Sequence, residues 1–316
     1  MNAAPAFHAG EQALQARVGV QAQMAQIGPR VLRDHMPEQH REFFGLLPFL
    51  VVGSVDAQGQ PWASVLAGAP GFVTSPDPTH LRIRAHALPH DPLQHTLHEG
   101  APVGLLGIQP HTRRRNRMNG TARLRDDGLL VEVGQSFGNC PKYIQAREPA
   151  WVPTADVSTV VHQGPTLDED SRALIRAADT FFVATAHPEA AHAHEPRHGV
   201  DVSHRGGAPG FVKVDGERLT VPDFAGNLFF NTLGNIALNP MAGLLFIDFE
   251  RGQRLYVAAR ASLVWDGAEL AAFQGAERLL RLDVTQAVRV LGGLPLQWGT
   301  AERSAHLAHM GTWPSR

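Results

Sequence analysis

The chain repeats itself. The hexapeptide Gly-Ala-Pro-Gly-Phe-Val stands at residues 68–73 and again at 207–212, an offset of 139 residues. Ser64 answers Ser203 at that offset, and Gly104-Leu105-Leu106 answers Gly243-Leu244-Leu245. A unit this long, close to the common domain size of roughly 100–150 residues, is a duplicated domain and not a short solenoid repeat. The length of 316 residues agrees with two domains. The spacing divides the chain into an N-terminal helical arm over 1–35, a first domain over 36–150, a second over 151–290 and a tail over 291–316.

Each copy can support a core. Hydrophobic residues make up 43% of the chain and charged residues 18%, a balance that separates it from disordered sequences. The formal net charge of -2 gives no footprint for nucleic acid or an anionic membrane, while small phosphorylated ligands stay compatible with it. A single cysteine, Cys140, excludes an internal disulfide, and the N-terminal stretch lacks a continuous apolar signal core. The expectation is a reducing, cytoplasmic setting. No apolar run approaches the roughly 18 residues of a membrane span; the nearest, LLPFLVVGSV, is broken by Pro48 and Gly53.

The two units follow one plan. Residues 10–33 are rich in Ala, Gln and Leu and read as helix, with Gly28-Pro29 expected to interrupt it. Each unit opens on an acid-started helix, PEQHREFFGLL or DEDSRALIRAAD, that runs into a strand, FLVVGSV or FFVATA. A short turn (DAQGQP) follows in the first copy and a long loop (HPEAAHAHEPRHG) in the second. Then come the strands WASVLAG and VDVSHRG, the repeated hexapeptide, a short strand, and the apolar VGLLGI or GLLFIDF. Residues 117–124 and 255–264 read as the last strand of each unit. Short strands between Gly and Pro turns predict a mainly β protein with flanking helices, built of antiparallel barrels. No GxGxxG opens a helix, so a Rossmann dinucleotide domain is not supported.

The stretches MPEQHREFF, LPFLVVGSVDAQGQPWASVLAGAPGFV, RRRNRMNG and QSFGNCPKYIQ, with ADTFFVATA, GVDVSHRGGAPGFV and FAGNLFFNTLGNIALNPMAGLLFIDF in the second half, resemble the pyridoxamine 5'-phosphate oxidase-related superfamily of FMN-binding split β-barrels, in its tandem form. The resemblance implies two tandem antiparallel split barrels with FMN in the groove between them, an internal pseudo-dimer, and the option of a homodimer. It implies an FMN-dependent oxidoreductase passing two electrons between flavin and an unidentified small molecule, with NAD(P)H or a partner reductase as electron donor. The alternative on the same fold is a non-catalytic flavin- or haem-binding protein. Where simpler members carry a strand with a Tyr/Phe-Thr pair followed by a basic residue, this chain has Phe230-Asn231-Thr232 followed by Asn235. That departure leaves the source of positive charge for a phosphate open.

Candidates for that charge can be named. Ser203, His204 and Arg205 end a strand beside Gly206-Gly207, where backbone N–H groups and an arginine fork suit a phosphate; SHRGG also reads as a plain polar turn. Asn231, Thr232 and Asn235 add neutral donors. Arg113, Arg114, Arg115 and Arg117, interrupted by Asn116, form the densest charge in the chain; both a solvated hairpin face and a phosphate receptor fit the run. Cys140 fits either a small buried hydrophobe or a group beside the flavin, with Asn139, Tyr143 and Gln145 as hydrogen-bond partners for the ring. No catalytic residue is nominated. His194-Glu195-Pro196-Arg197-His198 matches HExxH, but Pro196 breaks the helix that would put both histidines on one zinc. No metal is assigned: His187, His192, His194 and His198 read as an exposed polar loop, with adventitious metal binding as the alternative.

Overall fold

A computed structural model describes residues 5–153, 157–192 and 195–314. The arm holds helices α1 (Ala9–Arg17) and α2 (Gln21–Val31). The first domain runs α3 (Glu38–Gly45), β1 (Phe49–Val55), β2 (Pro61–Ala67), β3 (Val73–Asp77), β4 (His80–Ile83), α4 (Leu93–Thr96), β5 (Pro102–Gln109), β6 (Arg114–Arg125) and β7 (Gly128–Gly138). After β8 (Pro149–Trp151) and β9 (Thr159–Gly164), the second runs α5 (Glu169–Ala177), β10 (Thr180–Ala186), β11 (Val200–Gly206), β12 (Lys213–Asp215), β13 (Arg218–Asp223), α6 (Asn231–Leu238), β14 (Met241–Ile247), β15 (Arg254–Val264), α7 (Ala268–Ala271) and β16 (Arg278–Leu291). A short β17 (Leu296–Trp298) pairs with β8.

The duplication is visible strand by strand. The first sheet is ordered β2-β1-β5-β6-β7-β4-β3 and the second β11-β10-β14-β15-β16-β13-β12, the same order in each copy, with β9 added beside β16. All pairings are antiparallel. Each sheet curls around its own apolar core, around Phe44, Leu50 and Leu105 in the first copy and Phe181, Leu244 and Val257 in the second. The repeated hexapeptide forms the same turn twice, with Gly71 at φ 88 and Gly210 at φ 85. Both lie in the left-handed region that glycine adopts freely. These are two tandem antiparallel split barrels, as the sequence pattern predicts. Among the described residues, no helix is long and apolar enough to cross a membrane.

Two local expectations are corrected. The arm breaks at Gly19 (φ 77) and not at Gly28-Pro29, which lie inside α2. Pro29 falls in the final turn of that helix, and Gly28 lets Phe7 pack on it: a Cβ there would meet Phe7 Cε2 at 2.6 Å. Nor are residues 117–124 and 255–264 the last strands. Each is followed by a further long strand, β7 or β16, that pairs with it on one side and with β4 or β13 on the other. Runs of adjacent buried residues, with buried Ser136, Arg278 and Arg289 among them, interrupt the period-two alternation of these strands.

The barrels meet across a dry layer of Phe49, Val51, Trp62 and Val65 against Phe182, Val202, Leu245 and Tyr256. Two glycines set how closely they approach. A Cβ on Gly104 would stand 2.6 Å from the Val200 carbonyl oxygen, and a Cβ on Gly243 would stand 2.2 Å from that of Pro61. Gly104 and Gly243 are 139 apart, as are Pro61 and Val200. The same contact is therefore made twice about an approximate twofold axis. Because the obstacle is backbone, it cannot rotate away. Gly243→Ala is expected to cost about 1–3 kcal/mol, read as an earlier midpoint in denaturant unfolding. Gly164→Ala, whose Cβ would meet only His162 at 3.9 Å, is expected to leave that midpoint unchanged.

Candidate functional site

A cleft with about 110 Å³ of internal space, open to solvent at its mouth, lies where the barrels join. Its floor comes from β6 of the first barrel and β11 of the second. Alternation along β6 sorts the arginine run. Arg115 and Arg117 line the cleft. Arg114 turns to the other face, with its guanidinium over the Phe43 ring at 5.1 Å, and Asn116 shares that parity. Arg113 sits in a left-handed turn (φ 54) and ties down the tail through Glu302 at 2.7 Å and the Ile144 carbonyl at 3.2 Å.

From the second barrel, Ser203, His204 and Arg205 line the same cleft, with Asn231 and Thr232 from the start of α6. The Phe230-Asn231-Thr232 segment is thus a helix start and not a strand. Phe230 takes a left-handed turn (φ 64) that aims the first turn of α6 into the junction. Asn139, Cys140 and Tyr143 form the opposite lip, the connection leaving β7. Two nominated residues lie elsewhere. Asn235, one turn further along α6, donates to Thr185 Oγ1 at 3.2 Å inside the second barrel. Gln145 braces the tail, donating to the Gly207 carbonyl at 3.3 Å and accepting from Ser304 N–H at 2.8 Å.

Lys142, Asp223, Phe224, Asn227, Glu277 and Arg278 also line the cleft and were not named from the sequence. Arg278 opens β16, the strand missed there; its guanidinium packs over Phe230 at 5.0 Å and pairs with Asp223 at 3.1 Å. The lining therefore carries five cationic side chains (Arg115, Arg117, Lys142, Arg205, Arg278) against two acidic ones (Asp223, Glu277). Positive charge comes from both barrels, which answers the missing basic residue near Asn235.

Buried partners hold these cations in place. Arg117 donates to Asp201 at 2.7 Å across the barrel junction. Asp201 also accepts from Thr232 at 2.8 Å, and Thr232 lies 2.9 Å from the Ser203 hydroxyl. Arg205 pairs with Asp223. Arg115 is pushed down to about 10, by burial first and then by the neighbouring Arg117 and Arg205. It donates to the Cys140 carbonyl at 2.8 Å and lies 3.6 Å from its sulfur. His204 is held well below the ordinary histidine range by burial and by Arg115, Arg205 and Arg147. Its neutral ring presents Nδ1 to Arg115 at 3.3 Å. Tyr143 packs on Phe224 at 5.0 Å and donates to the Ala225 carbonyl at 3.2 Å, giving the mouth an apolar wall.

An acceptor-rich anion fits this lining. The Nε groups of Arg117, Arg205 and Arg278 and the side-chain amide of Asn139 are buried donors with no partner within the chain. Unpaired buried donors are costly; the four residues that carry these line one cleft, while Arg197, Arg254 and Arg289 leave Nε unpaired elsewhere. FMN brings phosphate, ribityl and pyrimidine acceptors, so the residues present fit the group.

The twofold-related position is filled. Offset by 139, Arg117 becomes Tyr256, Arg205 becomes Leu66 and His204 becomes Val65. Tyr256 is fully buried and donates to the equally buried Asp91 at 2.8 Å. Arg254, the counterpart of Arg115, is fully buried too, and donates to the Gly292 carbonyl at 3.0 Å. Among the described residues, the cation-lined cleft therefore has no open counterpart at the twofold-related position.

The histidine-rich loop has a different character. His194 lies outside the described residues, and Pro196–His198 forms a 3-10 turn and not an α-helix. His187, Glu189 and His198 bring ligand atoms within 4.8 Å of one another. The His187 and His198 rings, however, stack in parallel at 4.0 Å and 5°. An imidazole ligand holds its ion close to the ring plane, and two parallel planes share no such point.

The sequence profile of the pyridoxamine 5'-phosphate oxidase family matches residues 36–158 and again 167–302. No curated protein sequence matches the chain. Similar solved structures include the HupZ protein of Group A Streptococcus, 15% identical, covering 41% of this chain and 98% of its own (TM-score 0.32). A putative pyridoxamine 5'-phosphate oxidase from Lactobacillus delbrueckii is 16% identical, covering 40% and 97% (TM-score 0.30). The heme storage protein HutZ from Vibrio cholerae is 18% identical, covering 40% and 96% (TM-score 0.28). With its profile matched twice over most of its length, the chain belongs to the pyridoxamine 5'-phosphate oxidase family, in a tandem two-barrel form.

Proposed function

We propose that this chain is a flavoprotein holding one FMN in the cleft between its barrels, and that it acts as an FMN-dependent oxidoreductase on a small molecule. The observation that carries the reading is the convergence of Arg115 and Arg117 from one barrel with Ser203 and Arg205 from the other, beside four unpaired buried donors. Arginine forks and a hydroxyl suit a phosphate dianion. Family membership supports the same ligand, since members commonly bind flavin. When bound, the flavin supplies the two-electron chemistry.

The residues then divide the work. Arg205 and Arg117 neutralise the phosphate, with Asp223 and Asp201 keeping their guanidiniums aimed before the ligand arrives. The Asn139 amide offers a hydrogen bond to the polar edge of the ring. Tyr143 and Phe224 exclude water from its apolar part. His204 stays neutral and serves to orient Arg115. No side chain stands out as a general base, so the proposal assigns the protein position and electrostatics only. Electrons would come from NAD(P)H or a partner reductase reaching the open mouth.

The first check is the absorption spectrum of the purified protein with mass identification of any released chromophore. Flavin bands and FMN near one equivalent per chain are expected, because the related position is plugged by Tyr256 and Arg254; two equivalents would contradict the single cleft. A Soret band and no flavin would favour haem binding on this fold. Bleaching of the flavin by NAD(P)H without oxygen would establish the oxidoreductase, and stable flavin with every donor would leave a binder.

Arg205→Ala is expected to weaken FMN by roughly 1.5–3 kcal/mol, the range for hydrogen bonds to charged groups, in an equilibrium titration. Arg278 remains to pair Asp223, so folding should persist. Arg117→Ala is a poorer probe, since it strands the buried Asp201. Cys140→Ser is expected to hold FMN affinity within about threefold, because a serine hydroxyl can also accept from Arg115. Loss of the flavin would instead give the thiol a role.

A further inference from the structure

The filled half of the barrel junction keeps part of a binding site's chemistry. The strand ladders fix the correspondence: Tyr256 stands across from Leu245 on β14 as Arg117 stands across from Leu106 on β5, and Arg254 stands across from Ile247 as Arg115 does from Ile108. On β2, Ser64 lies across from Val52, as Ser203 on β11 lies across from Val183. Ser64, Arg254 and Tyr256 are therefore the counterparts of Ser203, Arg115 and Arg117, three residues that line the open cleft. Here all three are fully buried.

Into this position the first barrel folds a carboxyl of its own. The loop between β4 and α4 turns at His90 (φ 62), and the next residue, Asp91, is 1% exposed. Asp91 Oδ2 accepts from the Tyr256 hydroxyl at 2.8 Å, and Oδ1 accepts from the Leu93 N–H at 2.8 Å. Burial, the leading cause, holds this carboxyl above its ordinary value, and Ser64, the Leu93 N–H, Tyr256 and Arg254 oppose that. The counterparts of three cleft residues thus face one carboxyl. The Arg254 guanidinium itself donates only to neutral oxygens among the described residues, Ser158 Oγ at 3.3 Å and the Gly292 carbonyl at 3.0 Å. Its Nε and Nη1, with Ser64 Oγ, are buried and have no hydrogen-bond partner among the described residues. We propose that this position is a latent site for a small carboxylate anion, closed in this chain by Asp91, whose side chain stands where a bound anion would be held. A tethered carboxyl leaves donors idle that a free anion, able to turn in place, can meet.

Removing the carboxyl opens the site, and sodium formate supplies the missing group. The full-length Asp91→Ala chain is expected to unfold at a lower temperature than wild type. For a dissociation constant of about 10 mM, about 100 mM formate should raise its midpoint by roughly 2–4 °C more than the same concentration of sodium chloride. Wild type has the same open cleft and gives the background, which the response of Asp91→Ala should exceed by that margin. Formamide, similar in size but uncharged, should not substitute, and adding Tyr256→Phe to Asp91→Ala should remove most of the response. Asp91→Asn keeps the space filled and should respond only as wild type does. If Asp91→Ala does not fold in chloride, the yield of soluble chain refolded in formate against chloride takes the place of the midpoint, and should be higher in formate. Equal formate responses in Asp91→Ala and wild type, equal rescue by formamide, or refolding no better in formate than in chloride overturns the proposal. None of these readouts needs flavin, so a protein that takes up no FMN would sink the flavin reading and leave this test standing.

Discussion

The close backbone contact at Gly104 and Gly243 is the constraint on which the rest of the molecule depends. With no Cβ to hold them apart, β5 lies against β11 and β14 against β2, and the two barrels share one dry layer instead of hanging on a linker. That contact brings the arginine-bearing face of β6 opposite the end of β11. Without it Arg117 and Asp201 would sit on separate surfaces as two solvated charges. At the junction they form a buried pair 2.7 Å apart, and the cleft exists only there.

The electrostatics follow from this burial. Five cations collected around one small cleft would repel one another, so the protein places Asp201, Asp223 and Glu277 among them and keeps His204 neutral. The acids do more than offset charge. Each takes part of a guanidinium's hydrogen-bonding capacity and leaves Nε unpaired. The site is thus rigid in position and unsatisfied in bonding, the condition under which an anion gains most from binding.

Duplication gave two equivalent positions, and the copies have since diverged by opposite physical routes. One keeps charge and open volume. The other substitutes Tyr256 for arginine and Leu66 and Val65 for the Arg205 and His204 pair, converting a would-be site into core. An aromatic ring and two aliphatic side chains fill that space, with Arg254 and Asp91 buried beside them, so the plugged position is part of the packing that holds the barrels together.

Much of this was legible in the sequence. The 139-residue repeat and the spacing of short strands determined two tandem barrels, and ten of the fifteen nominated ligand residues meet at one cleft: Arg115, Arg117, Asn139, Cys140, Tyr143, Ser203, His204, Arg205, Asn231 and Thr232. Strand parity alone would have separated Arg115 and Arg117 from Arg114 and Asn116. The tertiary structure decided what no local pattern encodes. Arg278 and Asp223 enter the site only because β16 pairs with β13 far from the arginine run, and the Asn231 amide donates to Glu11 only because a glycine crossing seats the arm on α6. Local spacing determines which face a side chain takes on its own element. Which elements then face each other depends on long-range packing, and at this junction it depends on backbone contacts that leave almost no trace in side-chain chemistry.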